Sequence, residues 1–540
     1  MKKQLSFIML FVGLFVSAQT HYSGTLMGGT DVDVATSVYV LPDTSNSYAF
    51  IGGYYQSTDG DFSSNQGNED CFVKGYDIGQ GAPWTTVFGG TQHDFIYDIT
   101  KVNSDTYVVG ASDSNDLDIT GNHGEKDYLV AKLDNTGQLL WTKSFGGSGT
   151  DIATSIIYFD NHIWVLGYSN SSDGDVTGNH GNFDLWLIKL DTDGNLLWQK
   201  NYGGSDDDRS SDMDLFYDNN PQGDGLILAG YSKSSDGDVN VNHGDYDYWL
   251  VNIDVNGSIA WQQSFGGSGS DIKPKISTSS RSSIDIVGSS NSTDGDITNP
   301  LGGYDVWWIT ADLYSNNIHI YRNTNVGGSD DDFGTGVLNF PISCSTPTIF
   351  ITFNSKSSDG DTYVNHGGFD AWFMAQGIYG GTNFFNFGGQ DNDEFLDIHP
   401  SFDMNNNYAE FSKYAYFVGS SNSTDLPGTT AHGNLDAWQV NGDYFLQSVL
   451  EYTINAKIYP NPVFDQLKIQ VEEGHITTLW LYDMTGKLII RKDVNDLSDT
   501  YILNISNLKK GHYLLKILTD KGMAIKKLTK TYSQNPNGFE

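Results

Sequence analysis

The sequence predicts an all-β chain: a seven-bladed β-propeller followed by a small antiparallel β-sandwich. Three observations predict it: a seven-fold internal repeat, four short β-rich runs within each repeat, and an abrupt change of composition near residue 455.

The repeat is marked by a Gly-Gly doublet followed four residues later by Asp: Asp33, Asp94, Asp151, Asp208, Asp271, Asp332 and Asp393, at intervals of 57 to 63 residues. A second block, clearest in GYSNSSDGDVTGNHGNFDLW (167–186), places one Asp at 59, 116, 173, 236, 294, 359 and 425. A further Asp follows eleven residues later, at 70, 127, 184, 247, 305, 370 and 436. That spacing is gapless in all seven copies, so the block has one fixed backbone geometry. His precedes the second Asp by four in five copies (His123, His180, His243, His366 and His432), and Gln66 and Leu301 stand there in the others.

Each unit reads as four strands. In the third copy these are ATSIIYF, HIWVLGYS, DLWLIKL and NLLWQKNY, β-branched and aromatic runs divided by Gly/Asn/Asp turns. Four antiparallel strands repeated seven times favour a propeller, which leaves only short edges, over a linear β-solenoid, which needs shorter repeats and capping units. After Asp443 the last unit lacks its fourth strand, and HYSGTLMGG (21–29) supplies one ahead of the first Gly-Gly. The N-terminal strand is therefore expected to complete the seventh blade, giving a propeller over 19–450. The Gly-Gly doublets are expected to take positive φ at a tight reversal. The Gly six residues before the first Asp of the block, replaced only by Phe353, is expected to allow close sheet packing. Trp307, Trp372 and Trp438 are read as blade core.

Lys2 and Lys3, the apolar run from Leu5 to Val16 and the small residues Ser17 and Ala18 describe an export signal over 1–18. The run is too short to span a bilayer, and no later segment approaches membrane length. Cys71 and Cys344 lie far apart in unrelated contexts, which gives no disulfide framework. A net charge of −38 argues against nucleic acid and against an anionic membrane surface.

Residues 455–540 carry 12 Lys/Arg and 9 Asp/Glu, which leaves 17 basic and 58 acidic residues before them, a net of −41. So sharp a shift marks a domain boundary. Alternating strands with turns at Thr485-Gly486 and Lys510-Gly511 predict a sandwich over 455–530, with a tail at 531–540.

Tyr459-Pro460-Asn461-Pro462, Leu481-Tyr482-Asp483 with Thr485-Gly486-Lys487, Gly511-x-Tyr513 and the basic Lys526/Lys527/Lys530 end resemble the type A C-terminal sorting domain of the type IX secretion system. The resemblance implies an immunoglobulin-like sandwich and export to the surface or medium of a Gram-negative cell, with the type IX machinery as partner. The repeats also resemble the seven-bladed propellers of bacterial secretomes. KLDNTGQLLW, KLDTDGNLLW and NIDVNGSIAW are similar to the Trp docking motif of quinoprotein propellers, a structural element.

The acidic loops offer two chemistries. Each Asp caps its own turn, or each blade holds calcium through Asp59, Asp61, Asp116, Asp118, Asp173, Asp175, Asp236, Asp238, Asp294, Asp296, Asp359 and Asp361. No other cofactor is indicated. The sequence has no G-x-S-x-G, H-E-x-x-H or P-loop, so no catalytic residue is assigned. The expected function is a secreted or surface-displayed binding propeller for a glycan or protein ligand. The alternative is a hydrolase or quinoprotein-like oxidoreductase with its site in the channel. A non-repeated polar cluster at the channel would favour the enzyme, and seven similar blades a binding or structural role.

Overall fold

A computed structural model describes residues 22–41, 48–77, 83–216, 225–279, 283–314, 317–343, 346–376, 382–400, 415–426, 429–442, 456–471, 475–483, 488–494, 498–519 and 522–531. The expected export signal, Cys344 and the tail from 532 onward lie outside these residues. Regular structure among the described residues is all β-strand. The chain divides into two compact units, Met1–Tyr444 and Phe445–Glu540.

The first unit is a ring of seven four-stranded antiparallel sheets. Blades 1 to 6 occupy 33–88, 94–145, 151–202, 208–265, 271–326 and 332–386. Blade 7 combines three strands from 393–442 with the N-terminal strand Tyr22–Met27. That strand pairs antiparallel with Asp436–Gly442, from Tyr22 opposite Gly442 to Met27 opposite Ala437, as the missing fourth strand required. Its Leu26 and Met27 are buried. The first strand of each blade is innermost and packs against the first strands of both neighbours.

Second and third strands carry the core because both their faces are covered: Asp184–Leu190 is buried at every position. Trp307, Trp372 and Trp438 are buried, as read from the sequence, and so are Trp186 and Trp249.

The glycine of the second strand lies directly opposite the bulged part of the first, in the pairs Ala35–Gly53, Ile96–Gly110 and Ala153–Gly167. A Cβ on Gly53 would stand 2.7 Å from the Phe72 ring, so close packing requires glycine there. The Gly-Gly doublets correct one expectation. Among them only Gly327 has positive φ, whereas the DGD glycines Gly60, Gly174, Gly237, Gly295 and Gly360 all do. The doublets are glycine for want of room: a Cβ on Gly28 would stand 2.5 Å from Asp436 Oδ1 and 2.7 Å from Asp33 Oδ2.

The second unit is a two-sheet sandwich of immunoglobulin-like form. Ala456–Tyr459, Gln466–Val471 and Thr500–Asn504 form one sheet. Leu488–Asp493, Ile476–Asp483, Gly511–Thr519 and Gly522–Lys530 form the other. Leu467, Ile469 and Leu503 meet Leu479, Leu481, Leu515 and Ile517 between them.

Candidate functional site

The acidic blocks sit at the blade junctions. Between blades 2 and 3, Asp151 Oδ2 accepts from Gly147 N (2.8 Å) and Ser171 Oγ (2.8 Å). Asp173 Oδ1 accepts from Ser148 N at 2.7 Å, and Asp175 Oδ2 from Gly146 N at 3.3 Å. Asp127 Oδ2 accepts from His123 N at 2.9 Å, with His123 Nδ1 2.6 Å away. The Gly–Asp bond of the doublet recurs at all seven junctions. So does the bond to the first Asp of the block.

The twelve calcium-candidate residues therefore lie where the sequence placed them, on turns, and the first Asp of each pair ties one blade's junction to the next blade's loop. Among the described residues no group of three or more His, Cys, Asp or Glu side chains is arranged to hold a metal ion.

The channel is different, because it breaks the repeat. Every first strand contains a β-bulge near its start, just after the third residue in six blades and between Ile272 and Lys275 in blade 5. A bulge re-aims the side chain that follows it. The residues four after each junction Asp are Ser37, Asp98, Ser155, Asp212, Lys275, Gly336 and Asp397. All but Ser155 line a cavity of about 540 Å³. Two residues on, Tyr39, Ile157, Asp214, Ser277, Leu338 and His399 line it too. Sequence reasoning missed this set. The signal was present in the column four residues after the junction Asp, where Ser, Asp, Lys and Gly alternate without pattern.

The channel carboxylates link consecutive inner strands. Ser37 Oγ lies within hydrogen-bond distance of both Asp98 Oδ1 (3.1 Å) and Asp397 Oδ2 (2.9 Å) and has one proton to share between them. Val38 N donates to Asp397 Oδ2 at 2.9 Å, Ile156 N to Asp98 Oδ2 at 2.8 Å, and Ile276 N to Asp212 Oδ2 at 2.8 Å. Each of these N–H groups belongs to the next blade round the ring. Enclosure by protein pushes the Asp98 carboxyl up to about 7, with the charge of Asp397 adding to it. Burial likewise raises Asp214 to about 6 and lifts Asp212 and Asp397. Burial opposes the charge of Lys275, but Asp212, Asp397 and Asp98 together hold it above the ordinary lysine value. Tyr97 also lines the cavity and stacks on Phe95 at 6.0 Å, while Tyr39 meets His399 at 5.0 Å.

In the C-terminal sandwich two of the sequence motifs meet in space, while Thr485-Gly486-Lys487 lies outside the described residues. Asn461 Nδ2 donates to Lys527 O at 2.8 Å and Asn461 Oδ1 accepts from Thr529 N at 2.9 Å. Asn461 thus ties the Tyr-Pro-Asn-Pro segment to the basic last strand. Residues 457–531 match the family described as secretion system C-terminal sorting domain. This module is a type IX sorting domain. Its presence makes the protein one that is secreted or held at the outer cell surface through the type IX system. No curated protein matches the chain.

Solved structures similar to the chain include the WD40 domain of Neurospora crassa Pan2, at 11% identity and a TM-score of 0.40, covering 78% of this chain and 95% of that one. A second is the subtype N11 neuraminidase-like protein of A/flat-faced bat/Peru/033/2010 (H18N11), at 9% identity and 0.35, covering 78% and 94%. A third is Kuenenia stuttgartiensis hydrazine synthase, at 10% identity and 0.36, covering 66% and 97%. Likenesses this distant carry no argument about function. Ahead of the sorting domain, the channel wall departs from the seven-fold frame.

Proposed function

We propose that the protein is a secreted or surface-displayed binding propeller that takes its ligand in the central channel. The observation that carries this reading is the cavity of about 540 Å³, whose wall departs from the seven-fold repeat while the junction turns obey it. Pockets of a few hundred Å³ with a few convergent polar groups are the usual form of a small-ligand site. The junction carboxylates repeat because they hold the ring together. The channel residues vary because nothing in the repeat constrains them.

The test is a glycan and polymer binding array probed with the secreted protein and with Ile157→Trp, which fills the channel from blade 3. Binding by the parent and loss in the variant are expected; binding that survives the variant overturns the channel as the site.

One observation favours a second, hydrolytic reading: Asp98 and Asp397 are bridged by Ser37 in the channel, burial raises both, and the charge of Asp397 adds to the rise at Asp98. That reading expects the secreted protein to release new reducing ends from a bound polymer, and Asp98→Asn to abolish the release. A polymer bound but never cut would sink it.

A further inference from the structure

We propose that the channel's ligand is the uncharged end of a saccharide chain. The inference rests on the channel being the binding site and adds the class of ligand.

Four classes of small ligand can be compared against the wall. An anion meets Asp98, Asp212, Asp214 and Asp397 inside a strongly acidic propeller, so its approach and its burial are both opposed. An organic cation meets a channel that already contains its own ammonium, Lys275, set among Asp212, Asp397 and Asp98. The like charge of that buried ammonium opposes a second cation beside it. An apolar ligand would cover carboxylates, hydroxyls and the Lys275 ammonium without replacing the hydrogen bonds they make to water.

A neutral polyol fits the hydrogen-bonding inventory that remains. Each carboxylate oxygen has two lone pairs. At Asp98 Oδ2, Asp212 Oδ2 and Asp397 Oδ1, a single backbone N–H occupies one of them, from Ile156, Ile276 and Ile398 respectively. The other lone pair is left to accept a hydroxyl proton. Lys275 donates one bond, to Ser211 O at 3.2 Å, and has two further N–H bonds to offer a hydroxyl oxygen. Vicinal hydroxyls, which both donate and accept, answer a wall of that kind. The rings of Tyr39, Tyr97 and Tyr158 border the same cavity and supply flat apolar faces for the C–H side of a sugar ring. A cavity of about 540 Å³ is large enough for more than one such ring.

The decisive experiment is calorimetric titration of the secreted full-length protein with neutral hexasaccharides (cello-, xylo-, manno-, malto- and chito-series). The same titration is run with an oligogalacturonate, an alginate oligomer and spermine. Ile157→Trp and Leu338→Trp, which narrow the channel from opposite walls, are titrated alongside, with melting temperatures to confirm folding. The expected result is binding to at least one neutral series, weakened at least tenfold by either folded variant and absent for the charged probes.

Binding to spermine or to an acidic oligomer that both variants weaken would overturn the saccharide assignment and leave the channel reading intact. Binding to a neutral series that neither variant weakens would overturn the channel itself. No binding to any neutral series overturns the inference. Should one variant fail to fold, the other decides. Should both fail, protection of the inner strands from hydrogen exchange by the bound sugar replaces them.

Discussion

Gly334 and Phe353 face each other in the inner ladder of blade 6, and they reverse the arrangement of blades 1, 2, 3, 4 and 7. There the first strand carries the larger residue and the second the glycine, as in Ile96–Gly110 and Phe395–Gly419. The sequence exception at 353 is thus compensated by a glycine on the facing strand. A Cβ on Gly334 would stand 2.7 Å from Gly288 O and 2.8 Å from Val287 Cγ1, both in blade 5. Gly334→Ala is expected to cost about 1–3 kcal/mol by overpacking, and Phe353→Ala about 3–5 kcal/mol through the cavity it leaves. Denaturant unfolding checks both; a neutral Gly334→Ala would show that the blades can part at no cost.

Ring closure is tested at its last strand. Deleting residues 22–27 exposes the edge of Asp436–Gly442 and is expected to lower the melting temperature of the whole propeller. Leu26→Ala, at a buried position opposite Trp438, is expected to cost about 2–4 kcal/mol. An unchanged melting temperature in the deletion would mean the ring closes otherwise.

The junction loops separate capping from metal binding. Asp173 and Asp175 already accept backbone N–H groups of the preceding junction. Asp173→Asn with Asp175→Asn is expected to lower the melting temperature by the same amount in calcium and in chelator. A calcium-dependent gain in the parent that the double variant loses would instead assign a cation to these loops.

Acidity should stabilise the propeller. Burial raises Asp70, Asp127, Asp184, Asp271 and Asp332 to about 6 and Asp98 to about 7. Each therefore binds its proton more tightly folded than unfolded, where a carboxyl titrates near 3.9. The resulting stability is complete below about pH 4 and is lost as pH rises through 6 to 7. The melting temperature is expected to fall between pH 5 and pH 7.5; a rise over that interval would refute the assignment. The exposed carboxylates Asp173, Asp236 and Asp294, held below their usual range by hydrogen bonds, act oppositely but only at lower pH.

Export depends on the sorting domain. Removing residues 455–540 is expected to leave the passenger in the periplasm, with fractionation as the readout. Normal levels of the truncated protein in the medium would contradict the role given to this module.

The gapless eleven-residue spacing in seven copies was enough to count blades, because a fixed loop geometry tolerates no insertion. The missing strand after Asp443 was enough to close the ring, because a propeller cannot leave a blade short. The buried tryptophans were legible because they recur in one register. The channel was not: its residues matter by facing one another across the axis, and Ser37 and Asp397 are 360 positions apart in the chain. The reason for the Gly-Gly doublets was hidden similarly. Their constraint comes from carboxylates such as Asp436 beside Gly28, which shares its blade but lies at the far end of the propeller sequence, invisible locally.

The pairing of Met27 with Ala437 also sets an order of events. On a ribosome, or through a pore threaded from its N-terminus, the segment that seals the ring emerges first and finds its partner last. Some four hundred residues must arrive before that partner strand exists. Until then six blades can assemble only into an open arc with two raw ends, and long-range pairing of this kind is intrinsically slow. A cell exporting this chain must therefore keep a nearly finished molecule from joining its neighbours end to end. The quality of the secreted product is decided in the interval before the last blade appears.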